Sequence, residues 1–465
     1  MEVIGILLSL FLLMFFAYRG FSVIYLAPIF AVLAAASQGL SPMPAYTELF
    51  MGKAVGFIKA FLPVFLLGAM FGKVMEDTGL AKSIALAIAR GLGAKYTVLS
   101  LVLAGCVLTY GGVNGMVAGF ALYPVAASLF KEANWPKRFI PATIFLGFGT
   151  ATMDAFPGTI QIQNIIPAAY FGTSVYAAPF TGIVGGTLIL VICITWINRR
   201  IKKAVAAGEG YGTGHINESQ LGEDVKLVHW SVAALPLLSI LVLNYIFTSV
   251  VAWNPDILKP FLAMKLPMAA PAVKNVLAIW AIIIAEIIAI VMVLAIGWRN
   301  LSKGGMAKAL NAGAIGSLLA VLNVASEVGY GNVIASLPGF KAIATTLLSI
   351  KVGATPLVSE AVTVNLLAGI TGSASGGLGI ALDIMAKDWL AWANSIGMSP
   401  EILHRIAAMA AGGMDTLPHN GGIITLLGIC GLTHRQSYPD IFVITIMKTA
   451  IDFLMVAVYL VVGIA

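Results

Sequence analysis

Gly111-Gly112-Val113-Asn114-Gly115 and Met153-Asp154-Ala155-Phe156-Pro157 find partners later in the chain, in Gly372-Ser373-Ala374-Ser375-Gly376 and Met414-Asp415-Thr416-Leu417-Pro418. Gly111, Gly115, Met153, Asp154 and Pro157 recur 261 positions on as Gly372, Gly376, Met414, Asp415 and Pro418, which marks an internal duplication of 111–158 as 372–419. Gly and Pro clusters flanked by apolar runs describe helices that break inside a membrane, where irregular backbone is tolerated if it lines a cavity or is covered by protein. A matched pair of such breaks in two halves points to the binding site of a secondary transporter.

The composition agrees. Of 465 residues, 60% are hydrophobic and 10% charged, and the mean hydropathy is +0.97. These values exclude a soluble globular surface and indicate an all-α polytopic membrane protein. The net charge of +7 reads as topology, because Lys and Arg accumulate in cytoplasmic loops; no nucleic-acid partner is inferred. Cys106, Cys193 and Cys430 lie within apolar runs without ligand spacing, so they read as buried thiols with neither metal nor disulfide. The run Val3 to Ala17 has one acidic residue before it and no small-residue cleavage site after it, and is expected to be a retained helix.

Two helices are expected over Val3 to Ala17 and Phe21 to Ala36, a third over Ala54 to Met75, a short amphipathic piece over Leu80 to Gly93, and an entering segment over Tyr96 to Tyr110. Met116 to Phe130 and Phe139 to Thr150 flank the charged loop Lys131 to Arg138. Gln161, Gln163 and Asn164 then give an unusual density of amides for a membrane segment. Val175 to Ile197 reads as a full span ending at the cytoplasmic cluster Arg199-Arg200-Ile201-Lys202-Lys203. The Gly-rich polar stretch after it lacks the Lys-Ser/Thr of a phosphate loop and reads as a flexible linker.

This divides the chain into a first repeat (1–203), a cytoplasmic linker (204–228) and a second repeat (229–465). In the second repeat His229 to Val250 and Ala272 to Ile296 span, and Ala312 to Ala325 leads into a polar interruption over Ser326 to Asn332. An amphipathic piece lies near Ala342 to Ile350, Pro356 to Gly369 enters, and Leu378 to Ala386 leaves. Lys387 to Arg405, with Trp389, Trp392 and His404, reads as an interfacial loop, and Ile441 to Ile464 is the last span. Loop charges place the opening helix pairs of the two halves in opposite orientations, the arrangement of inverted-topology repeats with broken helices.

An ionisable residue inside a membrane is a functional hypothesis by default. Asp154 and Asp415 match across the repeat, and the sequence leaves two readings open: caps for half-helices near Thr159 and Asn420, or carriers of a coupling ion. Glu360 and Glu327 are further candidates for carrying a proton, although neither has an acidic counterpart in the first half. Asn114, Gly115, Ser373 and Ser375 stand in the first breaks, where helix amino ends attract an anion, and the same small residues also mediate helix packing. His419 and Asn420 replace the matching Gly158 and Thr159, which suggests ligand contact or a structural histidine. No Arg or Lys lies inside any of the four breaks, so dipoles and side-chain donors are expected to hold a monoanion without a buried cation.

Gly372 to Gly379, Gly413 to Gly431 and the segment Gly68-Ala-Met-Phe-Gly-Lys-Val-Met-Glu-Asp-Thr-Gly79 resemble the gluconate permease (GntP) family of the ion-transporter superfamily, and the resemblance covers nearly the whole chain. It implies a scaffold domain, a transport domain with two re-entrant hairpins and broken helices, and proton-coupled uptake of a small organic acid. It also implies a homodimer in the bacterial inner membrane that works by an elevator motion. Where gluconate-type members carry His-Val-Asn-Asp-Ser-Gly, this chain has Thr416-Leu417-Pro418-His419-Asn420-Gly421. That departure makes it look more like members assigned to short hydroxy- or keto-acids such as 3-hydroxybutyrate.

Three alternatives stay open: sodium-coupled carboxylate transport, a passive anion channel and an intramembrane enzyme. Against the last, no HExxH occurs and the five histidines are scattered. No cofactor is expected; the partners expected are a small organic acid anion, a coupling proton or sodium ion, the lipid bilayer and a second copy of the chain.

Overall fold

In hydrocarbon every backbone N–H and C=O must be satisfied by protein, and a helix does so within its own segment. The computed structural model describes residues 2–19, 21–93, 96–113, 115–215, 227–264, 272–273, 276–301, 305–350, 352–418 and 420–464, and among them no strand occurs. The first half runs α1 (Glu2–Tyr18), α2 (Val23–Ser37), the short α3 (Pro42–Pro44) leading through a π turn into α4 (Met51–Asp77), α5 (Leu80–Leu92), α6 (Thr97–Tyr110), α7 (Gly115–Glu132), α8 (Ile140–Phe148), α9 (Ile162–Phe171) and α10 (Pro179–Ala206). The second half runs α11 (Trp230–Tyr245), the short α12 (Lys259–Ala263), α13 (Leu277–Leu301), α14 (Met306–Ser336), α15 (Pro338–Leu348), α16 (Leu357–Thr371), α17 (Ala374–Ser395), α18 (Pro400–Ala411), α19 (Gly421–Cys430) and α20 (His434–Val462).

The five helices α6 to α10 recur in order as α16 to α20. α9 and α19 even share their ending, a left-handed glycine: Gly172 at φ 68° and Gly431 at φ 63°. Contacts between the halves are reciprocal. The long α4 and α14 lie against each other, α2 packs on α14 as α13 packs on α4, α1 on α15 as α11 on α5, and α7 on α19 as α17 on α9.

Among the described residues six helical segments are long and apolar enough to cross a membrane: Pro42–Asp77, Pro179–Ala206, Trp230–Val250, Ile279–Leu301, Met306–Ser336 and His434–Val462. Large apolar side chains stand out from them, including Leu235, Leu238 and Val242 on α11 and Ile287 and Val291 on α13. Lipid tails satisfy such a surface; water would not.

Three expectations are corrected. The polar stretch Ser326 to Asn332 does not interrupt α14, because its polar groups find partners on neighbouring helices: Tyr330 Oη bonds Ser9 Oγ at 3.0 Å, and Asn332 Nδ2 donates to the Leu49 carbonyl at 2.8 Å. Nor is Lys387 to Arg405 an interfacial loop. α17 runs to Ser395, α18 starts at Pro400, and Trp389, His404 and Arg405 are fully buried. Finally, the span placed over Val175 to Ile197 begins at Pro179 and continues to Ala206, so its basic cluster is helical. Beyond it Tyr211 is buried and Glu209 is ion-paired, so this first part of the polar stretch is held against the protein.

Candidate functional site

The first Met-Asp break is built from hydroxyls that bond backbone groups no longer matched by helix. α8 stops at Phe148, and a π turn covers Ala151–Ala155. Thr152 Oγ1 meets Thr109 Oγ1 at 2.7 Å, Thr159 Oγ1 donates to the Thr152 carbonyl at 2.7 Å, and Gln161 Nε2 reaches back to the Thr109 carbonyl at 2.6 Å. Gln161 thus joins the second break of this half to the end of α6, where its first break begins.

Asp154, fully buried, accepts on Oδ2 from the Lys448 ammonium at 2.7 Å, and Lys448 Nζ also donates to the Gly149 carbonyl at 2.8 Å. Oδ1 has no hydrogen-bond partner among the described residues. The pair crosses the repeat, since Lys448 belongs to α20. It also rests on Gly412 of the second-half break, where a Cβ would lie 1.6 Å from Asp154 Oδ2. Glycine there is a requirement of close approach.

The second Met-Asp break is a 3-10 turn, Met414–Thr416. Thr416 Oγ1 bonds Thr445 Oγ1, and Tyr438 Oη donates to the Thr416 carbonyl at 3.0 Å. Asn420 caps α19 by accepting from the Ile423 N–H at 2.8 Å, while its Nδ2 donates to the Gly372 carbonyl at 2.8 Å and the Asp415 carbonyl at 3.0 Å. It therefore joins the two breaks of its half, as Gln161 does in the other. Asp415 is 5% exposed, and its Oδ1 is unpartnered among the described residues; Lys448 and Asp154 are its electrostatic neighbours. Beside it Asn365 Nδ2 donates to Asp452 Oδ2 at 3.0 Å, and the Asn365 amide oxygen lies on Gly413, 1.9 Å from where a Cβ would stand. Glu360, on the first turn of α16, is fully buried, with neither carboxylate oxygen bonded among the described residues and with Asp452 as its electrostatic neighbour.

At the Gly-rich breaks, Ser373 caps α17 by accepting from the Gly376 N–H at 3.1 Å, and Ser375 is partly buried on the first turn. Glu327 of α14 presses onto Gly376. The matching Gly115, first residue of α7, meets the Phe148 ring instead. Asn114 and His419 lie outside the described residues.

Two buried cations reach the breaks from helices outside them. Lys448 is one. The other is Arg405, whose four hydrogen bonds clamp the 175–177 backbone to Asn164: Nη1 donates to Asn164 Oδ1 at 2.9 Å, Nη2 to the Ala177 and Val175 carbonyls at 2.7 and 3.2 Å, and Nε to the Ala177 carbonyl at 3.1 Å. Asn164 Oδ1 also faces His404 Nε2 at 3.0 Å. An amide oxygen accepts only, so Nε2 carries the proton and Nδ1 accepts from Thr173 Oγ1 at 2.7 Å. Asn164 completes its valence by donating to the Thr159 and Val175 carbonyls at 2.7 and 2.8 Å.

Lys448, Asp452, Asn365 and Arg405 were missed by sequence reasoning. The signal for the first two was present: charges four apart inside an otherwise apolar last span meet the same criterion that singled out Asp154. Arg405 was hidden by the assignment of its segment to a loop.

No family model matches the chain. It is 46% identical over 480 residues to the uncharacterized transporter YxjC of Bacillus subtilis (strain 168), with all of both chains covered. Among solved structures it resembles the Alcanivorax borkumensis YdaH transporter, with a TM-score of 0.50, 19% identity, and 89% of this chain and 88% of that one covered. It also resembles Neisseria gonorrhoeae MtrF, described as illuminating a class of antimetabolite efflux pumps, with a TM-score of 0.54, 13% identity, and 92% and 93% covered. At those identities the two structures speak for the fold alone. Identity along the full length does more, and the chain belongs to the family of the YxjC transporter: it is a polytopic membrane transporter, not an enzyme.

Proposed function

We propose that the protein is a secondary active carrier that moves a small organic acid monoanion, of the short hydroxy- or keto-acid class such as 3-hydroxybutyrate or gluconate, together with a proton. The halves 1–203 and 229–465, joined by a cytoplasmic linker over 204–228, act as inverted-topology repeats. Their broken helices form a transport domain that moves against a scaffold in an elevator-type cycle, within a homodimer in the bacterial inner membrane. Gly115, Ser373, Ser375 and Asn420, with Asn114 and His419, gather the substrate at the breaks, where each charge-assisted hydrogen bond contributes about 1.5 to 3 kcal/mol.

The observation that carries this reading is the buried cluster where both Met-Asp breaks meet. Asp154, Asp415, Asp452 and Glu360 are four carboxyl groups whose buried cations are Lys448 and Arg405. Unpaired buried charge is costly, and bound protons are the simplest supply of the missing positive charge. Sodium coupling is the second reading. Against it, the Gly149 carbonyl and Asp154 carboxylate, a donor pair suited to a hard cation, are already taken by the Lys448 ammonium.

The test is uptake into proteoliposomes of a panel of labelled C3 to C6 acids under proton, sodium or no gradient. Accumulation of one hydroxy- or keto-acid under the proton gradient is expected. Sodium-driven uptake would move the coupling to the second reading, and the absence of counterflow would make the protein a channel.

A further inference from the structure

The amino end of α17 is occupied by the protein's own acid. Glu327 is 2% exposed, and its Oε2 has no hydrogen-bond partner among the described residues. A Cβ at Gly376 would stand 1.5 Å from that oxygen and 2.3 Å from Cδ, so the carboxyl group fits because residue 376 is glycine. Gly379 and Gly331 continue the seam, against Val328 and Ile380, and keep α14 and α17 close enough for the contact. The carboxyl thus faces the first turn of α17, where Ser373 caps the helix and the positive end of the helix dipole favours an anion.

Charged groups on the packed elements have other neighbours: the buried Glu286 of α13 lies against Gly68 of α4. Lys53 of α4 pairs with Asp383 of α17 at 2.8 Å, and Lys73 of α4 pairs with Glu76 and Asp77. Tyr330 on α14 itself bonds Ser9. The Ser373 hydroxyl is the polar side chain that interacts with Glu327.

We propose that Glu327 is a coupling residue in addition to the buried cluster at the Met-Asp breaks, and that it works by competition: its ionised carboxylate and the substrate's carboxylate exclude each other from the amino end of α17, so a proton on Glu327 admits the substrate. Two carboxylates at one helix end repel, whereas a neutral Glu327 leaves the dipole and the Ser373 hydroxyl to the incoming anion. Proton and anion binding then strengthen each other by the same factor, as linkage requires. Among the described residues of the first half the matching Gly115 is covered by the Phe148 ring, not by an acid. The inference rests on the reading of the protein as a carrier of a monoanion.

The experiment uses the full chain in proteoliposomes with labelled 3-hydroxybutyrate, and infrared difference spectra between pH 5.5 and 8 without any substrate. Glu327→Gln mimics the protonated form. Counterflow is expected to persist, while accumulation driven by a proton gradient falls about tenfold or more and the pH dependence of apparent affinity flattens, within the 5- to 150-fold usual for such coupling. The substrate-free spectra should lose one protonated-carboxyl band in E327Q. An unchanged band, wild-type accumulation, or joint loss of counterflow and accumulation in monodisperse protein would each overturn the proposal. If E327Q is lost in purification, Glu327→Asp should keep accumulation and shift the pH midpoint of affinity; an unmoved midpoint also overturns it. Absence of counterflow in the wild type strikes the substrate reading instead, and the infrared arm still judges Glu327.

Discussion

Asp154 and Asp415 occupy matching turns of the two halves, yet they are treated differently. Asp154 has a tethered cation at 2.7 Å. The position that would give Asp415 the same is Thr187, 261 residues before Lys448, and Val191 stands where the second half has Asp452. The duplication has thus produced one break whose carboxylate is held by an ion pair and one whose carboxylate makes no ion pair among the described residues, although each keeps an unpartnered Oδ1. Because Lys448 comes from the other half, it also fastens the two breaks to each other. The lesson is that a repeated motif fixes where irregular backbone occurs, while the charges around it decide which copy can change its protonation.

The largest effect expected from this asymmetry is at the ion pair. Lys448→Met strands Asp154 as a buried charge against Gly412, which should cost about 3 to 5 kcal/mol and show as a large drop in the melting temperature in detergent. Adding Asp154→Asn removes the stranded charge and should recover most of the loss. Two independent, additive losses would break the comparison, because the pair would then not be acting as a unit.

A smaller structural effect and a larger functional one are expected at the unpaired twin. Asp415→Asn should change stability by less than about 1 kcal/mol and lower proton-driven uptake about tenfold, equivalent to about 1.4 kcal/mol in the coupled step. Near-normal uptake with Asp415→Asn would leave both aspartates as architectural groups.

How much of this was legible beforehand depended on whether a residue's role is local. The breaks themselves were, because Gly and Pro act on their own backbone. Asp154 and Asp415 stood out for the same reason. Ser326 to Asn332 misled because Gly and polar residues resemble a break, and only Ser9 and Leu49, more than 280 positions away in sequence, satisfy them within an unbroken α14. Arg405 misled in the opposite sense. A basic residue after two tryptophans resembles an interface, and its burial becomes affordable only through the 175–177 carbonyls and Asn164. Pairings across the repeat, such as Lys448 with Asp154, have no sequence separation that betrays them.

The two amides that join the breaks give the next comparison. Asn420 makes three bonds, one of them a helix cap, while Gln161 at the start of α9 makes two to carbonyls and no cap. Losing a cap costs about 1 kcal/mol, and each further lost bond about 1 kcal/mol. Asn420→Ala should therefore destabilise by about 2 to 3 kcal/mol and Gln161→Ala by about 1 to 2 kcal/mol, measured as melting temperatures side by side. Equal losses would mean that the cap contributes nothing.

The smallest effect lies outside the membrane, in the loops that precede α8 and α18. Before α8, Arg138 grips Glu209 through Nε at 2.6 Å and Nη2 at 2.9 Å and approaches Asp440, which Arg200 also holds at 2.9 Å. The position 261 residues after Arg138 is Ser399, a neutral cap that accepts from the Glu401 N–H at 3.3 Å. Only the first of these latches responds to pH. The Arg138 guanidinium holds the Glu209 carboxyl below its usual range, so folding favours the ionised form. That contribution is fully present above the unfolded value of about 4.3, and it is lost as pH falls through the lower folded value. The Glu209 side chain is 41% exposed, which limits the pair to about 0.5 kcal/mol. Proteolysis of the 204–228 stretch should therefore quicken modestly between pH 5 and pH 3 with an acid-stable protease. Glu209→Gln should be quick at both pH values and lose that dependence, and a dependence that survives the substitution would break its assignment to the Arg138–Glu209 pair.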